Sequence, residues 1–333
     1  MVKFEGIKVP YVAYIIFALL MGFASLPANA NDWTPKNTVE ISVGSSAGSG
    51  TDATARMIQR LLQEKKMLDV PVVVANKPGG GSAIVMAYMA QRKGDPHYLN
   101  IAAYNLVTNK ITGKTNLGIS DYTPLALLFS DYIAFNVKPD SPFKSAKSLI
   151  DQMRKDPQSV SFGLSSSVGG ANHIALALVM KAAGIDIRQL KVVVFNSGGE
   201  TSTAVLGGHV DVQVTSASVV PNLLTSKKIR VLAVSSPRRL SGVMSVAPTW
   251  AEHGIPVTAS NWRIALAPKD ITESQIAFWD QTFRKLTELK EWGEYLEKSF
   301  SDNAYLDSKS TKQYLDDEQK RVSAILHELG LAK

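Results

Sequence analysis

Short apolar runs alternate with helix-period segments along most of the chain. The runs at residues 39–43, 72–75, 99–103, 125–129, 133–137, 160–164, 192–195, 210–214, 230–234 and 263–267 predict β-strands. Most are continuously apolar, as buried strands covered by helices on both faces are. Between them, residues 53–63, 82–91, 146–155, 171–183 and 200–206 carry helical patterns. Two longer helices close the chain. The first opens on the capping box Thr272-x-x-Gln275 and repeats Ile276, Trp279, Phe283 and Leu286. The second carries Leu315, Val322, Ile325 and Leu329, with Gly330 as its stop. The alternation predicts an α/β fold with mostly parallel sheets.

So many strands exceed what one sheet of this chain length holds comfortably, so two sheets in two domains are expected. The run 125–137 is broken only by Ser130-Asp131-Tyr132 and crosses from one domain to the other. Residues 235–261, with Pro237, Pro248 and Pro256 and little periodicity, make the return. Domain 1 is then residues 31–131 plus 255–333, and domain 2 is residues 132–254. Residues 1–30 read as a cleaved secretory signal. Lys3 and Lys8 precede an apolar stretch at 11–23, which is too short for a spanning helix, and Ala28-Asn29-Ala30 is a cleavage site.

The chain has 333 residues, 45% hydrophobic and 20% charged, which is ordinary globular composition. It has no cysteine, which excludes disulfides, thiolate metal sites and a lipid-modified cysteine. The formal charge of +7 is scattered in pairs such as Lys65-Lys66, Lys227-Lys228 and Arg238-Arg239. Without a basic stripe or interleaved aromatics, nucleic acid is not an expected partner. His97, His209, His253 and His327 lack metal-ligand spacing, so neither metal nor cofactor is expected.

The chemistry concentrates where strands end. After the first strand comes the loop 44–52, in which Ser46, Ala47, Gly48 and Ser49 lead to Thr51 and Asp52 at a helix start. Such a strand, glycine loop and helix N-terminus offers backbone N–H groups to an anion. Its glycines, 44, 48 and 50, do not make a dinucleotide fingerprint. The loop 163–173 repeats the design with Ser165, Ser167, Gly169, Gly170 and His173. A third strand end carries Asn196, Ser197 and Gly198, and a fourth carries Thr215 and Ser216. Trp262 and Arg263 stand where the chain re-enters domain 1. They read as a cleft wall and a second carboxylate partner, or else as a core aromatic and a surface arginine. Each loop also reads as plain turn chemistry, and Ser165 or Ser167 with His173 as a hydrolase pair. The spacing is not that of a G-x-S-x-G nucleophile elbow.

Several ordered motifs resemble one family across the mature chain. They are Gly50-Thr51-Asp52, the stretch Val72-Val73-Val74-Ala75-Asn76-Lys77-Pro78-Gly79-Gly80-Gly81, and the Ser/Gly loop ending in His173. Leu206-Gly207-Gly208-His209-Val210-Asp211, Arg230-Val231-Leu232-Ala233-Val234-Ser235 and Ala247-Pro248-Thr249 follow in order. The family is the substrate-binding proteins of tripartite tricarboxylate transporters, or Bug receptors. The resemblance implies a type II periplasmic binding fold: two Rossmann-like α/β domains around a cleft that closes by hinge motion. It implies a periplasmic, monomeric receptor without enzymatic activity. Its partners would be a small carboxylate (a di- or tricarboxylate, acidic amino acid or aromatic acid) and membrane permease subunits. By the resemblance, Ser46, Ala47, Gly48, Ser49 and Asp52 bind ligand from one side, and Ser165, Ser167, Gly169, Gly170 and His173 from the other. The chain departs from the pattern where Phe195 replaces Tyr, Thr215 or Ser216 replaces Asp, and Arg263 follows Trp262. An added arginine and a lost aspartate predict a more acidic distal ligand group. A sensor presenting its ligand to a signalling partner is the alternative function.

Overall fold

One strand of 16 residues organises the molecule. The structure is a computed structural model, and it describes Val2 and residues 33–333 apart from Ser166 and Asn196. The expected signal segment, Val2 aside, lies outside the described residues. The strands are β1 (Val39–Val43), β2 (Val72–Asn76), β3 (Tyr98–Ala102), β4 (Tyr122–Val137) and β5 (Ser161–Ser165). They continue with β6 (Lys191–Phe195), β7 (Val212–Ser216), β8 (Arg230–Val234), β9 (Ser260–Pro268) and β10 (Asp302–Leu306). The helices are α1 (Gly50–Glu64), α2 (Ala83–Ala90), α3 (Asn105–Ile111), α4 (Ala146–Lys155) and α5 (Ala171–Ala182). They continue with α6 (Gly198–Leu206), α7 (Pro221–Thr225), α8 (Glu273–Thr287), α9 (Lys290–Lys298) and α10 (Ser308–Glu328). The fold is α/β, as expected.

Two parallel triads, β2-β1-β3 and β6-β5-β7, form the outer parts of the sheet path. The central strands are antiparallel. The N-terminal part of β4 pairs with β9 and β10, and its C-terminal part pairs with β7 and β8. A strand that leaves one sheet and a strand that returns to it must run in opposite directions, which is what β4 and β9 do. The polar triplet Ser130-Asp131-Tyr132 does not interrupt β4. It pairs in register with Trp262, Asn261 and Ser260. The two predicted runs on either side are therefore one strand with buried polar groups in its middle. β10 and the short helices α3, α7 and α9 were not anticipated.

Two large apolar clusters support the sheet, one around β1 and one that spans from β3 and β9 to the β6-β5-β7 triad. Ile41, Leu61, Trp279, Phe283 and Trp292 pack around β1 beneath α1, α8 and α9. Phe162, Ile174 and Leu176 pack beneath α5, and the cluster continues to Leu315 and Val322 of α10. The helix ends behave as their sequences require. The Thr272 side chain caps α8 and Gln275 reaches back to the Thr272 N–H at 2.7 Å. Gly330, at φ 69°, ends α10 in the left-handed conformation that glycine adopts without strain. Trp262 is fully buried with its ring 5.7 Å from that of Tyr104. It is a core aromatic and not the wall of an open cleft. Among the described residues, no helix is long and apolar enough to cross a membrane.

Candidate functional site

β1 delivers the chain into the first loop at Gly44. A Cβ there would stand 2.5 Å from Ser82 Oγ, so the position has room only for glycine. Ser49 caps α1, its Oγ accepting from the Asp52 N–H at 3.3 Å. The Asp52 carboxylate is buried and fully engaged. It accepts from Gly48 N–H at 2.8 Å, Asn76 Nδ2 at 2.9 Å and Arg56 Nε at 3.0 Å. Asn76 also donates to the Ser45 carbonyl at 3.0 Å. The Arg56 hydrogen bond, with Gly48 and Asn76, outweighs burial and holds the Asp52 carboxyl at about 2. Asp52 thus anchors the loop from beneath, leaving Ser46, Ala47 and Gly48 exposed.

Removing that anchor has a definite expected outcome. Asp52→Ala should cost about 1–2 kcal/mol, since Arg56 is solvent-exposed and its share is screened. The folded pKa lies below the ordinary 3.8. Its contribution is therefore present above about pH 4 and lost as pH falls toward 2. Urea denaturation at pH 7 and pH 3 should show the difference between wild type and variant shrinking at the lower pH.

The second loop is built differently. Gly170 precedes α5 without a side-chain cap, so the first N–H groups of this 12-residue helix lack that partner. Asn172 Nδ2 donates to the carbonyl and Oγ of Ser165 at 2.8 and 2.6 Å. His173 Nδ1 accepts from the Gly169 N–H at 3.0 Å, and burial pushes the imidazole down to about 4, so it is neutral at pH 7. Ser167 is half-buried, and its carbonyl accepts from Gly170 N–H at 3.1 Å. Among the described residues, His173 Nδ1 is engaged by the Gly169 N–H, and neither Ser165 nor Ser167 hydrogen-bonds the imidazole.

The other strand ends meet Ser165. Its Oγ lies 3.1 Å from Thr215 Oγ1, and Thr215 Oγ1 stands 3.1 Å from the place of a Cβ on Gly198. Ser197 is exposed and caps α6 by accepting from the Glu200 N–H at 3.2 Å. Asn196 lies outside the described residues. The next residue after Thr215, Ser216, sits opposite Ile133 in the β4–β7 register.

Arg263, for which the sequence left a carboxylate partner and a surface arginine both open, is a buried residue. It is only 8% exposed, so it is not a surface arginine. Its Nη1 donates to the carbonyls of Asn261 and Trp262, both at 3.1 Å. Nη2 lies 3.3 Å from the place of a Cβ on Gly50, at the start of α1. Nε is buried and has no partner among the described residues. Asp131, which sequence reasoning passed over, is 6% exposed. Its Oδ2 accepts from Ser218 Oγ at 3.0 Å, while Oδ1 has no partner among the described residues. Burial raises the Asp131 carboxyl, opposed by the Arg263 charge and the hydroxyls of Ser216 and Ser218. Its signal in the sequence was a lone acid inside an apolar run. Contacts therefore run from Gly50 through Arg263, and from Asp131 through Ser218 to the end of β7 and on to Ser165.

The profile of the tripartite tricarboxylate transporter family receptor matches residues 54–331, and the chain belongs to that family. The UPF0065 protein in the gbd 5' region of Cupriavidus necator is 27% identical over 315 residues, covering 94% of each chain. A TctC solute-binding protein from Polaromonas has the same fold. It superimposes with TM-score 0.77 at 23% identity, over 89% of this chain and 99% of the other. An R. palustris protein solved with adipate superimposes with TM-score 0.74 at 22% identity, over 90% and 99%.

Proposed function

We propose that this chain is a periplasmic receptor that binds a small carboxylate and hands it to the membrane permease of a tripartite transporter. The observation that carries the reading is the convergence at the ends of β5, β6 and β7, beside the uncapped start of α5. In this reading Ser46, Ala47, Gly48 and Ser49 approach the ligand from one lobe. Ser165, Ser167, Gly169 and Gly170, with Ser197 and Ser216, approach from the other, while Asp52 and His173 hold the loops. The lobes are residues 31–131 with 255–333, and residues 132–254, joined through β4 and the chain before β9. Closure of the lobes excludes water and strengthens each charge-assisted hydrogen bond. The adipate bound by the R. palustris relative supports a dicarboxylate.

The test is thermal denaturation of protein refolded free of ligand, with mono-, di- and tricarboxylates added singly. A true ligand raises the midpoint progressively with concentration. A dicarboxylate is expected to do so, with a smaller shift in Ser165→Ala. A midpoint unmoved by every carboxylate overturns the proposal.

A further inference from the structure

Two buried charged side chains, Arg263 and Asp131, each keep one hydrogen-bonding atom without a partner among the described residues. Arg263 and Asp131 lie on β9 and β4, the paired strands that run between the two parts of the sheet. Both are more than nine-tenths buried, yet they form no direct ion pair with each other. Burying either charge without a full set of partners is costly, so an arrangement that keeps them apart invites a third party between them.

The position of each side chain says what that party carries. Arg263 presents Nη2 at the N-terminus of the 15-residue helix α1, beside Gly50. Guanidinium and helix terminus both favour an anion there. Asp131 has Oδ2 occupied by Ser218 and Oδ1 free to accept. A plain carboxylate satisfies Arg263 but leaves Asp131 unanswered. A carboxylate with a hydroxyl or ammonium on the adjacent carbon satisfies both.

We propose that Arg263 and Asp131 select a carboxylate bearing a neighbouring hydrogen-bond donor, a 2-hydroxy or 2-amino acid, over the unsubstituted acid. This rests on the receptor reading above and specifies its ligand class. It also revises the expectation from sequence. The aspartate missing after the β7 strand is compensated by Asp131 from β4, so the distal subsite is not simply more basic. Rejection of the plain acid follows because a site built to hydrogen-bond a donor is left unpaired without it.

The experiment is isothermal titration of ligand-free protein with three matched series. These are succinate, malate and aspartate; glutarate, 2-hydroxyglutarate and glutamate; adipate, 2-hydroxyadipate and 2-aminoadipate. In at least one series a substituted acid should bind at least about tenfold more tightly than its plain parent. Asp131→Asn, nearly isosteric, and Ser218→Ala, which removes the hydroxyl donor from Oδ2, should each change that ratio while binding persists. Asp131→Leu should bring it within about twofold of unity, and Arg263→Met should weaken all members together. Circular dichroism confirms that each variant folds. A plain acid bound as tightly as its substituted partners, or a ratio indifferent to all Asp131 variants, overturns this inference and leaves the receptor reading intact. No binding by any acid overturns both.

Discussion

Lowering the pH from 7 to 5 should destabilise the folded chain by about 2 kcal/mol through His173 alone. The imidazole is buried and titrates at about 4 in the folded protein, against 6.5 ordinarily. Between those values the unfolded chain binds a proton that the native chain refuses, so stability falls as pH falls. The loss begins near pH 6.5 and is complete below about 4, where it approaches about 3 kcal/mol. Protonation also converts Nδ1 from acceptor to donor, directly against the Gly169 N–H it now receives. The second loop should loosen first, and carboxylate affinity with it. Buried acids with raised pKa, Asp131 and Asp280 among them, act in the opposite sense and gain on acidification. The clean reading is therefore a difference. Urea midpoints of wild type and His173→Asn, which keeps a short acceptor, should converge as pH falls from 7 to 4. Parallel slopes would show that His173 is not the acid-labile group. Asp52 acts in a lower window, between pH 4 and 2, so the two are separable in one titration.

The folding pattern was legible wherever local and tertiary preferences coincide. The runs 39–43 and 230–234 and the helix 146–155 have the boundaries seen in the structure because the two strands bury their apolar residues and the helix buries the stripe Ala146, Leu149, Ile150 and Met153. β10 was invisible because Asp-Asn-Ala-Tyr-Leu has little strand character, and only its pairing with β4 makes it a strand. α9 was missed because it is short and contains Gly293, and its anchors Trp292 and Leu296 are a single turn apart. The strand-end loops stood out through their glycine and serine content. The Arg263–Asp131 arrangement did not. It depends on the β4–β9 register, which places Asp131 opposite Asn261, and on a hydroxyl reaching across from Ser218. No local pattern encodes a register. Arg263 could be flagged as unusual after Trp262, but its burial beneath the start of α1 is a tertiary fact.

Glu318→Ala should cost about 2–4 kcal/mol, the largest loss expected from a single truncation outside the apolar core. Glu318 sits on α10 and is only 5% exposed. Tyr104, ahead of α3, donates its hydroxyl to Oε1 at 2.9 Å, and Arg321 donates Nε to Oε2 at 2.9 Å. Arg321 Nη1 continues to the Thr258 carbonyl at 2.7 Å, in the segment entering β9. One carboxylate thus ties the closing helix to α3 and, through Arg321, to the chain that leads to Trp262 and Arg263. Burial raises the Tyr104 pKa well above the ordinary phenol value, so its hydroxyl remains a donor at every working pH. Alanine leaves that buried hydroxyl without its acceptor, while Arg321, partly exposed, recovers some loss from water. Tyr104→Phe removes the donor cleanly and should cost about 1 kcal/mol. In a double-mutant cycle the two losses should sum to more than the double variant shows, by about 1 kcal/mol, because they share one hydrogen bond. Additive losses would separate Tyr104 from the network. Carboxylate affinity supplies the functional readout: with the Thr258 tether released, Trp262 and Arg263 are held less firmly, and Glu318→Ala should weaken binding more than Glu318→Gln, which preserves the acceptor for Tyr104.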